Sequence, residues 1–391
     1  SSLGQILNKV GMEAPGINDI SCFSKTFNFI QELIKDKKIL SGHDISSGGM
    51  ITTLLEMCFP SQNIGMEINL SAIKELDTTK LLFAENSGLV IQSEENLMEL
   101  FQPIGVQCFN LGRVNNSGVL EIKNNGDLLN LDVAKYRDIW YSTSKDLDKH
   151  QTKDDLAEKR FKNYKNTPLQ FKFPHGFHGQ LSRKNKKRIK AAIIREKGSN
   201  SEREMAYAMH ISGFDVYDIH MTDLINGRET LEDYQFIAAV GGFSNSDVLG
   251  SAKGWAGAFL YNSKAKRVLD DFFKRKDTLS LGVCNGCQLF VELGLINSNH
   301  EVMHKIKHNS SGKFECQFTA VTIQPSSSVM MKGLEGSTLG IWAAHGEGKF
   351  YLPMEESNYQ IPAKYHYDKY PANPNGSKSV SYTHLTLPTK A

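Results

Sequence analysis

The chain has 391 residues, with 45 Lys and Arg against 43 Asp and Glu, a formal net charge of +2. A balance this even excludes a global field that would draw nucleic acid or an anionic membrane surface, and no apolar stretch approaches the ~20 residues of a membrane span. Six cysteines, at 22, 58, 108, 284, 287 and 316, are too few and too irregular for a disulfide scaffold, which fits a reducing, cytoplasmic setting.

The length allows two or three domains, each with its own core. The opening "SSLGQILNKVGMEAPG" has no initiating Met, basic n-region or cleavage pattern, so the chain is expected to begin inside a larger protein. Residues 25–40, "KTFNFIQELIKDKKIL", carry apolar side chains at helical spacing and lead into a polar, glycine-rich turn, "SGHDISSGG". A second helix, "MITTLLEMCF", is expected next, followed by strand-like runs "MEINL", "LLFAENSGLVIQS" and "FNLGRV". Together they suggest an α+β domain over 1–143.

Residues 144–189 are highly charged and thinly apolar, as in "SKDLDKHQTKDDLAEKRFKNYKN", and read as a linker or peripheral arm. The basic cluster Arg183, Lys184, Lys186, Lys187 and Arg188 has the composition of a nucleic-acid or targeting patch, but a solvated linker explains it with fewer assumptions. From 190 the pattern alternates: strand "KAAIIRE", helix "SEREMAYAMHISG", strands "FDVYDIHM" and "YQFIAAVGG", helix "KRVLDDFFKR", strand "LSLGVC", helix "CQLFVELGLI". Strands separated by helices predict an α/β domain with a mostly parallel sheet and helices on both faces. Ligands bind such sheets beyond the carboxyl ends of the strands, where the loop Gly241–Asp247 and the stretch around Cys284 fall.

Gly282, Val283, Cys284, Asn285 and Gly286 have the spacing G-x-C-x-G between a strand and a helix, a nucleophile elbow with sulfur in place of oxygen. The glycines clear the approach of strand to helix. The helix start lifts the thiol to the positive end of the dipole, where thiolate is favoured, and the Asn285 N–H is placed to donate to an oxyanion. Three other readings stand beside this one. Cys284 and Cys287 spell C-x-x-C, the spacing of a thiol redox pair or half a zinc site, and both could be inert buried thiols. The glycines of "AVGGFSNSDVLG" leave backbone amides free to approach a ligand or form an ordinary turn. "WAAHGEGKF" puts His345 and Glu347 at a strand end, with a glycine on either side of Glu347; His345 reads as a base or as a satisfied structural histidine, and Asp44 as a functional carboxylate or a helix N-cap.

In order along the chain, "REKGSNSEREMAYAMHISGFDVYDIHMTDL", "GGFSNSDVLGSAKGWA", "LGVCNGCQLF", "HNSSGKFECQF", "AAHGEGKF" and "YPANPNGS" resemble the class I glutamine amidotransferase domain of the large, single-chain phosphoribosylformylglycinamidine synthase family. That likeness covers 190–379. "SGHDISSGGMITTLLEMCF", "LLFAENSGLVIQ" and "LGRV" resemble the end of the same family's second synthetase-like half, a domain similar to the C-terminal domain of aminoimidazole ribonucleotide synthetases.

The resemblance implies an ATP-dependent C–N ligase of purine biosynthesis. Such an enzyme turns formylglycinamide ribonucleotide, glutamine, ATP and water into formylglycinamidine ribonucleotide, glutamate, ADP and phosphate. It further implies Cys284 as the nucleophile that forms a γ-glutamyl thioester, and Gly242, Phe243, Asn285 and Gln288 as oxyanion and glutamine-binding positions. By the same likeness Asp44 is a Mg²⁺ ligand and Ser46 a nucleotide contact, with Mg²⁺ and ATP/ADP as the cofactors and no covalent one. The implied partners are these small molecules and an upstream synthetase portion of the same polypeptide, with neither nucleic acid nor membrane.

Two departures accompany the likeness. Asn245 and Ser246 replace the Tyr and small residue usual in the family's loop. After "PNGS", where the family continues to a Pro-His-Pro-Glu motif supplying base and orienting carboxylate, this chain reads "VSYTHLTLPTKA" over 380–391. That tail reads as an artefact with His384 accidental, the amidotransferase domain as truncated, and the expectation is negligible synthase and very weak glutaminase activity. The family's substrate-binding and principal ATP-binding segments are expected before residue 1.

Overall fold

A computed structural model describes residues 1–12, 14–61, 63–179, 188–296 and 303–377. Four members of the basic cluster, Arg183 to Lys187, lie outside the described residues, as does the 380–391 tail with His384; Arg188 is described, its guanidinium 3.0 Å from Nδ1 of His210. The chain divides into two compact units, Ser1–Ser144 and Lys145–Ala391.

In chain order the first unit contains α1 (Ile20–Lys35), β1 (Ser41–Ile45), α2 (Gly49–Cys58), β2 (Gly65–Asn69), α3 (Thr78–Phe83), β3 (Gly88–Gln92), β4 (Gly112–Asn115), β5 (Val119–Asn124), β6 (Asp127–Asp132) and α4 (Val133–Lys149), whose last turn belongs to the second unit. β4, β2, β5 and β6 form one sheet in that order, with β2 and β5 parallel and the outer pairs antiparallel. One face buries Met66, Ile68, Leu120 and Ile122 against Leu54 and Cys58 of α2. β1 and β3 pair antiparallel as a separate ribbon that carries Asp44 opposite Leu89.

The run "LLFAENSGLVIQS" is not one strand. Asp77 accepts from the N–H groups of Thr79 and Lys80, so its first residues close the capped helix α3, and the strand begins only at Gly88. Neither the β5–β6 hairpin, turning at Asn125 and Gly126 with φ of 43° and 104°, nor α4 was anticipated from the sequence.

The second unit adds α5 (Leu156–Asn163), β7 (Ile189–Arg195), α6 (Glu202–Ile211), β8 (Phe214–His220), β9 (Phe236–Ala239), α7 (Lys253–Leu260), α8 (Ser263–Lys274), β10 (Leu279–Gly282) and α9 (Asn285–Glu292). β10, β9, β7 and β8 form a fully parallel sheet in that order. Alternate residues of the apolar runs point to opposite faces. Ala191, Ile193, Phe236 and Ala238 pack with Met205 and Met209 of α6, while Ala192, Ile194, Ile237 and Ala239 pack with Trp255, Phe259, Leu269, Phe272, Leu289 and Phe290. Burial on both sides is why these strands read as continuous apolar runs.

Beyond this layer come β11 (Lys305–His308), β12 (Glu315–Ile323), β13 (Thr338–His345), β14 (Glu347–Tyr351) and β15 (Ala363–Tyr365), all paired antiparallel. The charged stretch read as a linker lies, through its first half, on this part of the second unit. Arg160 of α5 makes ion pairs at 2.7 Å to Glu315 and 3.3 Å to Asp148 and donates to the hydroxyl of Tyr370. Asp148 also pairs with Lys313, and Lys172 bridges Thr338. Glu315, 1% exposed in its side chain, draws its nearest cation from this arm.

Candidate active site

β10 ends at Gly282, and two residues later Cys284 takes φ +53°, ψ −111°, a conformation that a residue with a Cβ adopts only under constraint. The constraint is visible on both sides. Cys284 precedes the first turn of α9, and Gly286 lies so close to β9 that a Cβ there would overlap the carbonyl oxygen of Ala239. A Cβ at Gly241 would stand 3.3 Å from that of Cys284. The sulfur accepts from the backbone N–H groups of Asn285 and Gly242 and lies 3.5 Å from the carbonyl oxygen of Ala344. Those two amides favour thiolate, as the helix position led one to expect, but burial outweighs them and pushes the Cys284 thiol up. The free thiol is therefore not poised as an anion, a correction to the expectation from the helix dipole alone.

The second amide comes from a loop whose backbone is unusual. Gly242, at φ +110°, pairs with Ser199, and a Cβ there would lie 2.6 Å from the amide nitrogen of Asn200. Phe243 N–H donates to Gly198 at 2.9 Å and Asn245 N–H to Lys197 at 2.8 Å, while the Phe243 ring is exposed and 6.4 Å from that of Phe314. Asn245, Ser246 and Asp247 have φ of 52°, 57° and 48°, followed by Ser251 and Ala252 at 46° and 56°. Asn is among the few residues with a side chain that enter the left-handed region readily, which suits position 245.

Buried side chains hold the loop down. Oδ1 of Asn285 accepts from Ser244 N–H at 3.1 Å, and its Nδ2 donates to both oxygens of Asp247, at 3.2 and 3.1 Å, and to Oε1 of Gln288 at 2.8 Å. Gln288 in turn donates to the carbonyl of Glu347 at 2.9 Å. The Glu347 carboxylate accepts from the Ser251 N–H at 2.7 Å and from its hydroxyl. Gln288 is thus buried with its amide engaged, and the Asn285 side chain spans the gap between loop and elbow.

His345 closes β13 and is 1% exposed. Nδ1 lies 3.0 Å from Oδ1 of Asn309, whose Nδ2 donates to the His345 carbonyl at 2.6 Å. Burial lowers its pKa to about 4, so it stays neutral in the fold. The geometry is that of a structural histidine. Cys287 sits in the core between sheet and helices, 1% exposed, with its thiol pushed far up by burial. A redox pair needs two accessible thiols, and this one is sealed. Among the described residues no group of three or more His, Cys, Asp or Glu is placed to hold a metal ion.

In the first unit Asp44 stands on β1 with a side chain 68% exposed, 3.3 Å from Nδ1 of His43. The N-cap of α2 is Gly48, so Asp44 is not a helix cap. Ser46 is exposed and its carbonyl accepts from Gly49 N–H. The turn is braced by Glu85, which accepts from the N–H groups of Ser2 at 2.6 Å and Gly48 at 2.9 Å; these bonds hold its pKa at about 2. Asp44 therefore presents a single exposed carboxylate.

A family model described as the CobB/CobQ-like glutamine amidotransferase domain matches residues 188–383, just over half of the chain. The chain belongs to the CobB/CobQ-like glutamine amidotransferase family. Ahead of the amidotransferase domain, residues 22–124 match the model described as the AIR synthase related protein, C-terminal domain. Curated relatives named phosphoribosylformylglycinamidine synthase are similar along nearly the whole chain. The probable chloroplastic/mitochondrial synthase of Arabidopsis thaliana is 39% identical, matching 91% of this chain and 26% of its own length. The Homo sapiens synthase is 35% identical, matching 96% of this chain and 31% of its own. The chain therefore spans between a quarter and a third of the length of these relatives. The solved structure of PurLQS from Thermotoga maritima is similar at 23% identity and a TM-score of 0.41, over 51% of this chain and 86% of that one. The likeness to phosphoribosylformylglycinamidine synthase and the two-part fold class expected from the motifs are both borne out. Among the described residues no helix is long and apolar enough to cross a membrane.

Two residues around the amidotransferase site were not singled out from sequence, Asp247 and Asn309 beneath His345; Glu347 was a candidate beside His345, but its clamp on Ser251 was not foreseen. Asp247 and Glu347 stood inside quoted motifs, where a carboxylate beside glycines was the available signal. Asn309 carried none.

Proposed function

We propose that the amidotransferase domain hydrolyses the side-chain amide of glutamine through a thioester on Cys284. It would do so as part of a glutamine- and ATP-dependent phosphoribosylformylglycinamidine synthase of purine biosynthesis, in the cytoplasm. The observation that carries the reading is the convergence of the Asn285 and Gly242 amides on a thiol held in a strained elbow. In this mechanism Sγ attacks the carboxamide carbon, and the two N–H groups hold the developing oxyanion. Ammonia departs with the thiol proton. Water then adds to the thioester, glutamate leaves, and the thiol is restored. The exposed Phe243 ring follows the Gly242 amide in the loop, open to contact with the donor, while Gln288 acts at one remove by orienting Asn285.

In the full synthase the ammonia would meet formylglycinamide ribonucleotide activated by ATP on the synthetase portion, giving formylglycinamidine ribonucleotide, ADP and phosphate. Asp44 would hold Mg²⁺ and Ser46 a nucleotide phosphate, and the ion would supply charge neutralisation for the phosphates. Among the described residues Cys284 is hydrogen-bonded to no histidine, and its thiol is pushed up, so glutamine turnover by this polypeptide alone is expected to be weak.

The test is covalent. A chloroketone analogue of glutamine, from which the thiolate displaces chloride, should label Cys284 ahead of the exposed Cys316 and the partly exposed Cys22 and Cys108, and Cys284→Ala should abolish that label. Labelling spread over the cysteines in order of exposure would overturn the reading.

A further inference from the structure

The strained loop contains a carboxylate that the thioester chemistry above leaves without a task. Asp247 is half-buried at φ +48°, and both its oxygens accept from Nδ2 of Asn285, the residue directly after the nucleophile. Oδ1 also accepts from Ala252 N–H at 3.2 Å. All of these donors are neutral amides. Among the described residues no Lys, Arg or His forms an ion pair with Asp247, although the unit has many cations. The other charge that acts on it is a second anion, Glu347.

An anion in that place opposes the chemistry. Together with burial, the Asp247 charge disfavours ionisation of the Cys284 thiol, and the same burial pushes the Asp247 carboxyl up. An uncompensated carboxylate beside a nucleophile is reasonable only if the ligand brings the cation. Glutamine does so through its α-ammonium group. The span also agrees: Asn285 runs from a backbone N–H facing the sulfur to a side-chain nitrogen on Asp247. Glutamine would run from a carboxamide carbon at the sulfur to an α-nitrogen through the same number of covalent links.

We propose that Asp247 binds the α-ammonium group of the amide donor and makes the site selective for α-amino acid amides over amides lacking that group. Occupation by the zwitterion would then cancel a charge that keeps the thiol protonated. The proposal rests on the glutamine reading of Cys284 and sharpens it.

Two chloroketones separate the claims, the glutamine analogue and the same molecule without its α-amino group, with iodoacetamide as a neutral control. The wild-type chain should be alkylated at Cys284 at least about tenfold faster by the amino compound than by its des-amino counterpart, as expected for a half-buried charge pair. Asp247→Asn should bring that ratio close to one while its reaction with iodoacetamide stays equal or rises, because an anion has been removed. Equal wild-type rates with the two chloroketones would overturn the role of Asp247 yet leave the nucleophile standing. That arm needs no variant, so misfolding of Asp247→Asn cannot hide the answer. A ratio that survives in Asp247→Asn would also overturn it. If neither chloroketone prefers Cys284 over Cys22, Cys108 and Cys316, the glutamine reading itself fails and the proposal with it.

Discussion

His345 shows how a residue's chemistry is set by what surrounds it. Its sequence neighbourhood, a histidine between alanine and glycine at a strand end, suits a base as well as a packing group. The fold decides by burying it against Asn309 and depressing its pKa to about 4. An unfolded histidine titrates near 6.5, so between pH 6.5 and 4 the unfolded chain binds the proton more readily, and stability falls as pH is lowered through that window. The difference is about 3 kcal/mol between pH 7 and pH 4. In urea titrations at both pH values, His345→Gln should be less acid-sensitive than wild type by roughly that amount. An identical acid response in the two proteins would mean that the ring is protonated in the fold. Cys284 was legible because glycine spacing encodes a backbone shape. Asn309, which settles the role of His345, was not, because it is distant in sequence and its residue type is common in turns.

At the scale of elements, the parallel sheet and its helices could be read from continuous apolar runs separated by amphipathic ones, since burial on both faces writes itself into composition. The elbow depends on Gly286, where helix and strand touch backbone to backbone. Gly286→Ala should cost about 3 kcal/mol and abolish chloroketone labelling of Cys284, measured by denaturant unfolding and by peptide mass mapping. Ser246 makes the opposite case. It holds φ +57° with a Cβ, and Ser246→Gly should raise stability by about 1 kcal/mol with the loop unchanged, which an unaltered labelling rate would confirm. What the sequence obscured at this scale was the run Leu81–Ser93: an apolar stretch with a helix cap four residues ahead of it, Asp77, looks like a strand when read by hydropathy alone.

For the molecule as a whole, the charged arm was the hardest part to read. By composition Arg160 cannot be told from Lys159 or Lys162, which lie on the exposed side of the same helix. Its partners Asp148, Glu315 and Tyr370, the last two more than a hundred residues later, distinguish it. Removing one partner of a buried ion pair leaves a charge without compensation, so Arg160→Met should destabilise the second unit by about 3–5 kcal/mol, and adding Glu315→Gln should restore part of the loss. Equal unfolding midpoints for the single variant and wild type would refute the pairing. This arrangement bears on how the protein is cut. The recognisable family text begins at residue 188, whereas the fold of the second unit begins at Lys145. A gene piece trimmed to the recognisable text would encode a domain whose buried Glu315 keeps the Tyr370 hydroxyl but has lost its guanidinium, and its poor expression would be mistaken for a defect of the amidotransferase itself.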